Sequence, residues 1–204
     1  MNKKALSALV MGVSLVATAN CMAYEAGDMI LRVGAANVDP QTSNNTVVAG
    51  LDVEDNTQVG ITGTYMLTNN LGLELLAATP FKHDVTINGA KVGETKHLPP
   101  TLSLQYYPMD SSSAFQPYVG LGINYTEFFS ESTSGALTGT KLELDSSWGL
   151  AGQLGVDYSI NDQWLLNAAI WKMDINTDVK VNGSKLGELE IDPMVYMVSV
   201  GYKF

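Results

Sequence analysis

Positive charge is scarce in this chain. Its 204 residues hold 11 Lys and Arg against 21 Asp and Glu, a net charge of −10. That balance excludes a nucleic-acid binder, which must neutralise phosphates with cations. Cysteine occurs once and histidine twice, too few for a disulfide framework or a structural zinc site, and no metal or cofactor is expected. Long apolar runs are also missing. Although 46% of the residues are hydrophobic, nothing after the first two dozen approaches the roughly 20 consecutive apolar residues of a spanning helix. What survives is a soluble all-β or α/β domain, or a transmembrane β-barrel, and the length suits one such unit.

The first two dozen residues set the compartment. Lys3 and Lys4 form a positive start, residues 5–19 are uncharged and rich in Leu, Val and Ala, and Cys21-Met22-Ala23 places small residues where a signal peptidase reads. This pattern predicts a signal peptide over residues 1–23, cut before Tyr24, with the mature domain over 24–204. An uncleaved anchor would need a longer apolar core, and the bulky Asn20 disfavours lipidation at Cys21. Cleavage removes two lysines, leaving nine basic against 21 acidic residues, or −12. A cysteine-free exported chain suits a bacterial cell envelope.

The mature chain alternates with period two over long stretches. Met194, Tyr196, Val198, Val200, Tyr202 and Phe204 share one face, while Val195, Met197, Ser199, Gly201 and Lys203 share the other. Roughly ten residues matches a tilted membrane-spanning strand rather than a soluble one. Comparable alternation starts near Met29, Gln58, Leu71, Thr101, Tyr118, Trp148 and Trp164, giving eight strands in all. One face of each is apolar and aromatic; the other carries Gly, Ser, Gln and Asn. A soluble lipocalin-like barrel would present polar residues outward, so the reading is an all-β, eight-stranded antiparallel transmembrane β-barrel in the bacterial outer membrane.

Short links at Thr68–Asn70, Pro108–Ala114 and Ser159–Gln163 alternate with long ones at Val38–Asn56, Pro80–Leu98, Ser130–Lys141 and Thr177–Asp192. That is the plan of periplasmic turns and extracellular loops, with both termini periplasmic. Two long links share a small repeat, residues 84–94 and 178–188, each centred on Asn-Gly. Asn-Gly between β-formers predicts a type I′ hairpin continuing the flanking strands, and so short a match could arise by convergence.

Four charges fall on the inward faces near the periplasmic end: Arg32, Glu74, Asp157 and Lys203. Unpaired charges in a narrow interior are costly, so these are expected to pair as a plug, with a gate as the other reading. Above them the inward residues turn apolar, at Leu76, Ala78 and Trp171, which suits a passage for an apolar solute. Pro80, Pro99 and Pro100 gather near the extracellular rim, and missing N–H groups there would weaken strand pairing and open the wall sideways.

The chain resembles the outer-membrane protein W (OmpW) family. The resemblance runs from Glu25-Ala26-Gly27 to Tyr202-Lys203-Phe204 and is densest at residues 72–81, 97–102 and 117–126, with Ser147-Trp148-Gly149, Gly155-Val156-Asp157-Tyr158 and Met173-Asp174-Ile175 completing it. It implies a narrow, largely apolar passage for small hydrophobic molecules, with Leu76 and Trp171 at its constriction. Tyr202 and Phe204 resemble the terminal signal read by the barrel-assembly machinery. The expected partners are that machinery, outer-membrane lipid and lipopolysaccharide, and small hydrophobic solutes. The expected state is a monomer.

An enzyme is not expected. His83 and His97 sit in the second long link, yet no serine lies in a nucleophile motif beside them. The acidic groups Asp52, Glu54, Asp55 and Glu188, Glu190, Asp192 lack calcium-loop spacing and read as a solvated acidic surface. Two function classes stay open: a channel for hydrophobic solutes, and a structural, adhesive or receptor barrel whose loops bind.

Overall fold

The computed structural model describes residues 24–42 and 51–204. The expected signal peptide, residues 1–23, lies outside the described residues. Strands follow in the order β1 (Met29–Asp39), β2 (Leu51–Val53), β3 (Asn56–Met66), β4 (Leu71–Ala78), β5 (Phe81–Ile87), β6 (Ala90–Leu98) and β7 (Thr101–Tyr106). They continue with β8 (Phe115–Thr133), β9 (Leu142–Leu144), β10 (Ser147–Ser159), β11 (Trp164–Met173), β12 (Asn176–Val181), β13 (Ser184–Glu190) and β14 (Met194–Lys203).

Eight of these form the barrel: β1, β3, β4, β7, β8, β10, β11 and β14 are antiparallel neighbours in that order, and β14 returns to β1. They are the eight that alternate in sequence. Alternation works here because successive side chains leave a strand on opposite faces, and the two faces meet different surroundings. The outward face is apolar and bare, with Leu121 78%, Trp148 71%, Leu150 66% and Val198 64% exposed. The inward face buries Arg32, Glu74, Gln105 and Asp157 at 1% exposure or less. A soluble barrel has the reverse arrangement, and only a lipid surround makes this one favourable. Aromatic side chains ring both rims: Trp164, Tyr202 and Phe204 contact one another in series at the end carrying the termini, and Tyr125 meets Trp148 toward the other.

All four long links contain strand rather than loop alone, with β2 lying in the first. The hairpin β5–β6 continues the wall beyond the barrel, pairing with β8 on one side and β2 on the other. β8 runs 19 residues, to Thr133, because β6 offers its upper half an edge after β7 has ended. Ser130–Lys141, expected as loop throughout, therefore begins in strand. The hairpin β12–β13 pairs with β9 in a second small sheet. Both repeats turn at Asn-Gly with positive φ at each residue, 51° and 77° at Asn88-Gly89 and 51° and 79° at Asn182-Gly183. Both also slip register at equivalent places, Val85/Thr86 and Val179/Lys180, so the repeated sequence encodes one bulged hairpin used twice.

Candidate solute passage

The lower interior holds a buried hydrogen-bonded cluster, a floor built around Arg32. β1 points this residue inward at 0% exposure, where a guanidinium has no water to bond. Its Nη2 and Nε donate to Asp157 of β10 at 2.5 and 3.1 Å. Nη1 donates to Thr64 of β3 at 2.7 Å and to Glu74 of β4 at 3.4 Å. Nη2 also reaches the Tyr107 hydroxyl at 3.3 Å, and the guanidinium carbon sits 5.9 Å from the centre of the Tyr118 ring. The carboxylates are satisfied in turn. Tyr24 and Asn167 donate to Asp157 at 2.5 and 2.8 Å, and Gln153 donates to Glu74 at 2.8 Å. Gln105 donates to Gln153, and Tyr107 donates to Gln105. Gly155 makes room for this packing, since a β-carbon there would collide with the Tyr118 ring.

Arg32, Glu74 and Asp157 are thus brought together. Lys203, placed with them by alternation, pairs with Asp28 at 3.6 Å near the rim, its long stem carrying the ammonium away from its backbone position. The tyrosines complete the floor and were not singled out from the sequence. Tyr107 and Tyr118 do lie on the inward side of the alternation, which was the available signal. Tyr24 precedes the first strand, where no periodicity points to it.

Above the floor, Leu76 of β4 and Trp171 of β11 are both buried inside, at 5% and 1% exposure, within one continuous apolar cluster. Past them, inside the hairpin extension, lies a cavity of about 90 Å³. Val53, Val85, Val92, Leu142, Leu189 and Ile191 line it, together with His83, Thr95 and His97. Burial pushes the proton affinity of both imidazoles down, that of His97 to about 3, with the neighbouring His83 adding to the effect at His97. His83 Nδ1 lies 2.5 Å from the Glu54 carbonyl oxygen.

The pairing of β4 with β7 stops short of the rim. β4 and β7 are bonded from Leu71–Tyr106 up to Leu76–Thr101, where their register ends. The next residues of the second strand are Pro100 and Pro99, which carry no N–H to continue the ladder. Both edges stay held from behind: Thr79, just before Pro80, donates to Val59 at 3.0 Å, and Tyr125 donates to Pro100 at 3.0 Å. The acidic groups near the hairpin end are engaged locally. Asp52 accepts from Thr42, Asp55 from Asn37, and Asp192 from the Ile175 backbone. Among the described residues no group of three or more potential metal ligands gathers.

Residues 25–204 match the OmpW family model. Outer membrane protein W of Vibrio cholerae is 45% identical over 206 residues, covering 93% of this chain and 94% of its own. The crystal structure of the outer membrane protein OprG from Pseudomonas aeruginosa superposes with a TM-score of 0.80 at 42% identity, over 90% of this chain and 99% of that one. A more distant relative, the dibenzothiophene metabolism operon protein PahQ of Pseudomonas aeruginosa, is 25% identical over 190 residues, 85% of this chain and 87% of its own. With its bare apolar exterior and closed antiparallel wall, the chain is an integral outer-membrane β-barrel and belongs to the OmpW family.

Proposed function

We propose that the protein admits small hydrophobic molecules from outside the cell and releases them sideways into the bilayer. The observation that carries this reading is the buried charge network beneath an apolar cluster. An apolar solute crossing the Arg32–Asp157–Glu74 network would have to break charge-assisted bonds and offer nothing in return. The β4–β7 ladder ends at Leu76 and Thr101, which supports a lateral route at that level. The name of the relative PahQ, which refers to a planar apolar heterocycle, fits the same solute class. On this reading solutes enter through the hairpin-end cavity, pass Leu76 and Trp171, and leave beside Pro80, Pro99 and Pro100.

The test is uptake of one apolar solute into proteoliposomes against protein-free vesicles. A bulky charge at the constriction, Leu76→Glu or Trp171→Glu, should abolish the protein-dependent part. Neutralising the floor as a set, Arg32→Met with Glu74→Gln and Asp157→Asn, should leave it within about twofold. A floor variant that transports much faster beside a Leu76 variant near wild type would falsify lateral release and indicate a through-pore. Absence of any protein-dependent uptake favours the receptor or adhesive reading.

A further inference from the structure

The lipid-facing side of the wall is not evenly convex. An open furrow of about 710 Å³ crosses it, lined by Leu104, Tyr106, Leu121, Leu154, Ile170 and Lys172 among others. Leu104, Leu121, Gly152 and Lys172 are successive register partners on β7, β8, β10 and β11. Three strand spacings separate the first from the last, about 14 Å. Strands of such barrels tilt by about 40°, so the row drops by about 9 Å from Lys172 to Leu104 and stays within one leaflet. Gly152 opens the middle of the row, where a β-carbon would meet no atom within 4 Å. Its neighbours Leu121 and Leu150 stand 78% and 66% exposed, so the missing side chain leaves a trough between ridges.

One end of this trough is charged. On β11 the outward row runs Trp164, Leu166, Ala168, Ile170 and then Lys172. At the same tilt the climb from Trp164 to Lys172 is about 20 Å, which puts Lys172 in the outer leaflet of an apolar band about 25 Å tall. A lysine there is costly unless its ammonium reaches the interface or an anion. Lys82, Lys91, Lys141, Lys180, Lys185 and Lys203 each pair with a carboxylate. Lys172 pairs with none among the described residues. It donates to the main-chain oxygen of Asp192, which is neutral, and the Asp192 carboxylate accepts from the Ile175 N–H instead. Every other side chain lining the furrow is uncharged. A cation without a counter-ion at the head of an apolar trough matches a molecule with an anion at the head of an apolar chain.

We infer that the furrow binds one phosphate-bearing glycolipid of the outer leaflet, its phosphate on Lys172 and one acyl chain descending across Gly152 toward Leu104. The site lies on the lipid side of the wall and is independent of any solute passing through the interior. Zwitterionic lipid can wet the same trough, but its head offers Lys172 no net charge.

The test reconstitutes the mature barrel in phosphatidylcholine nanodiscs carrying a small fraction of lipid A, in its diphosphorylated or its dephosphorylated form. Native mass spectrometry counts the glycolipid retained per barrel. Wild type should retain the diphosphorylated form about fivefold over the phosphate-free form, the effect of one lysine near an anionic surface. Lys172→Gln should abolish that preference, and Lys172→Arg should keep it. Gly152→Leu should lower retention of both forms severalfold and leave the preference in place. Both positions face outward, away from the interior packing, so all three variants should keep the wild-type heat-modifiable mobility. Equal retention of the two forms by wild type, or a preference that survives Lys172→Gln, overturns the phosphate contact. Retention unchanged in Gly152→Leu overturns the acyl trough.

Discussion

At the scale of single residues, the floor shows how far alternation reaches. Arg32, Glu74 and Asp157 can be placed inside from period two alone, because a strand face is set by parity. Partners cannot, because the barrel brings together strands far apart in the chain: Arg32 and Asp157 are 125 positions apart. Lys203 obeys the same parity and still ends on Asp28, since four methylene groups let an ammonium leave the face its backbone specifies. The energetics of the cluster are asymmetric. Removing one member leaves the others buried and uncompensated, whereas removing all of them does not. Arg32→Ala should therefore destabilise the folded barrel by about 3–5 kcal/mol, and the triple neutral variant by much less. Denaturant unfolding in lipid vesicles measures both; equal losses would contradict the network description.

His97 gives a pH dependence with a definite sign. Folded, its proton affinity is held down to about 3 by burial, while an unfolded histidine titrates near its ordinary value of 6.5. Between those values the unfolded chain takes up a proton that the folded chain refuses. Stability is fully present above about 6.5 and is lost as the pH falls, by about 1.4 kcal/mol per pH unit for one such proton. His97→Phe should flatten that slope between about pH 6.5 and pH 4 relative to wild type. Identical slopes would mean that His97 is not buried in its neutral form.

Elements were the most legible scale. All eight barrel strands follow from alternation, since lipid outside and a tightly packed interior impose different demands on neighbouring residues. The Asn-Gly hairpins were equally readable, because positive φ at two successive positions restricts the residues that can serve. Less visible was the upper half of β8. Residues 127–133 carry no clean alternation, and they are strand because β6 pairs with them, a tertiary effect. At the other end of the chain, β14 closes the barrel onto β1, and just beyond it the Phe204 backbone N–H donates to Met29 at 2.9 Å. The Phe204 ring packs on Tyr202 at the rim and is 71% exposed, so it contributes little to packing. Its loss should act on assembly. Deleting Phe204 is expected to lower the amount of heat-modifiable barrel in the outer membrane while leaving the refolded protein's unfolding midpoint nearly unchanged. Unchanged membrane levels would remove its role as an assembly signal.

At the scale of the whole molecule, closure and the early end of the β4–β7 ladder belong together. A barrel in lipid tolerates no open edge, because unpaired backbone groups in hydrocarbon are costly. Here the ladder between β4 and β7 stops at Leu76–Thr101, and each strand stays anchored to its other neighbour. Continuing the register would set Ala77 opposite Pro100. The sole cysteine, Cys21, falls within the expected signal peptide, so a paired Ala77→Cys and Pro100→Cys variant carries one possible crosslink in the mature chain. Oxidised, that crosslink ties the two edges where lateral release requires them to part, and it leaves the floor and the hairpin-end cavity intact. Uptake of an apolar solute should fall at least severalfold on oxidation and return on reduction. The return on reduction separates a closed route from a damaged barrel, because the same two substitutions are present in both states. Uptake indifferent to the redox state would place the exit elsewhere, and the floor around Arg32 would become the next segment to open.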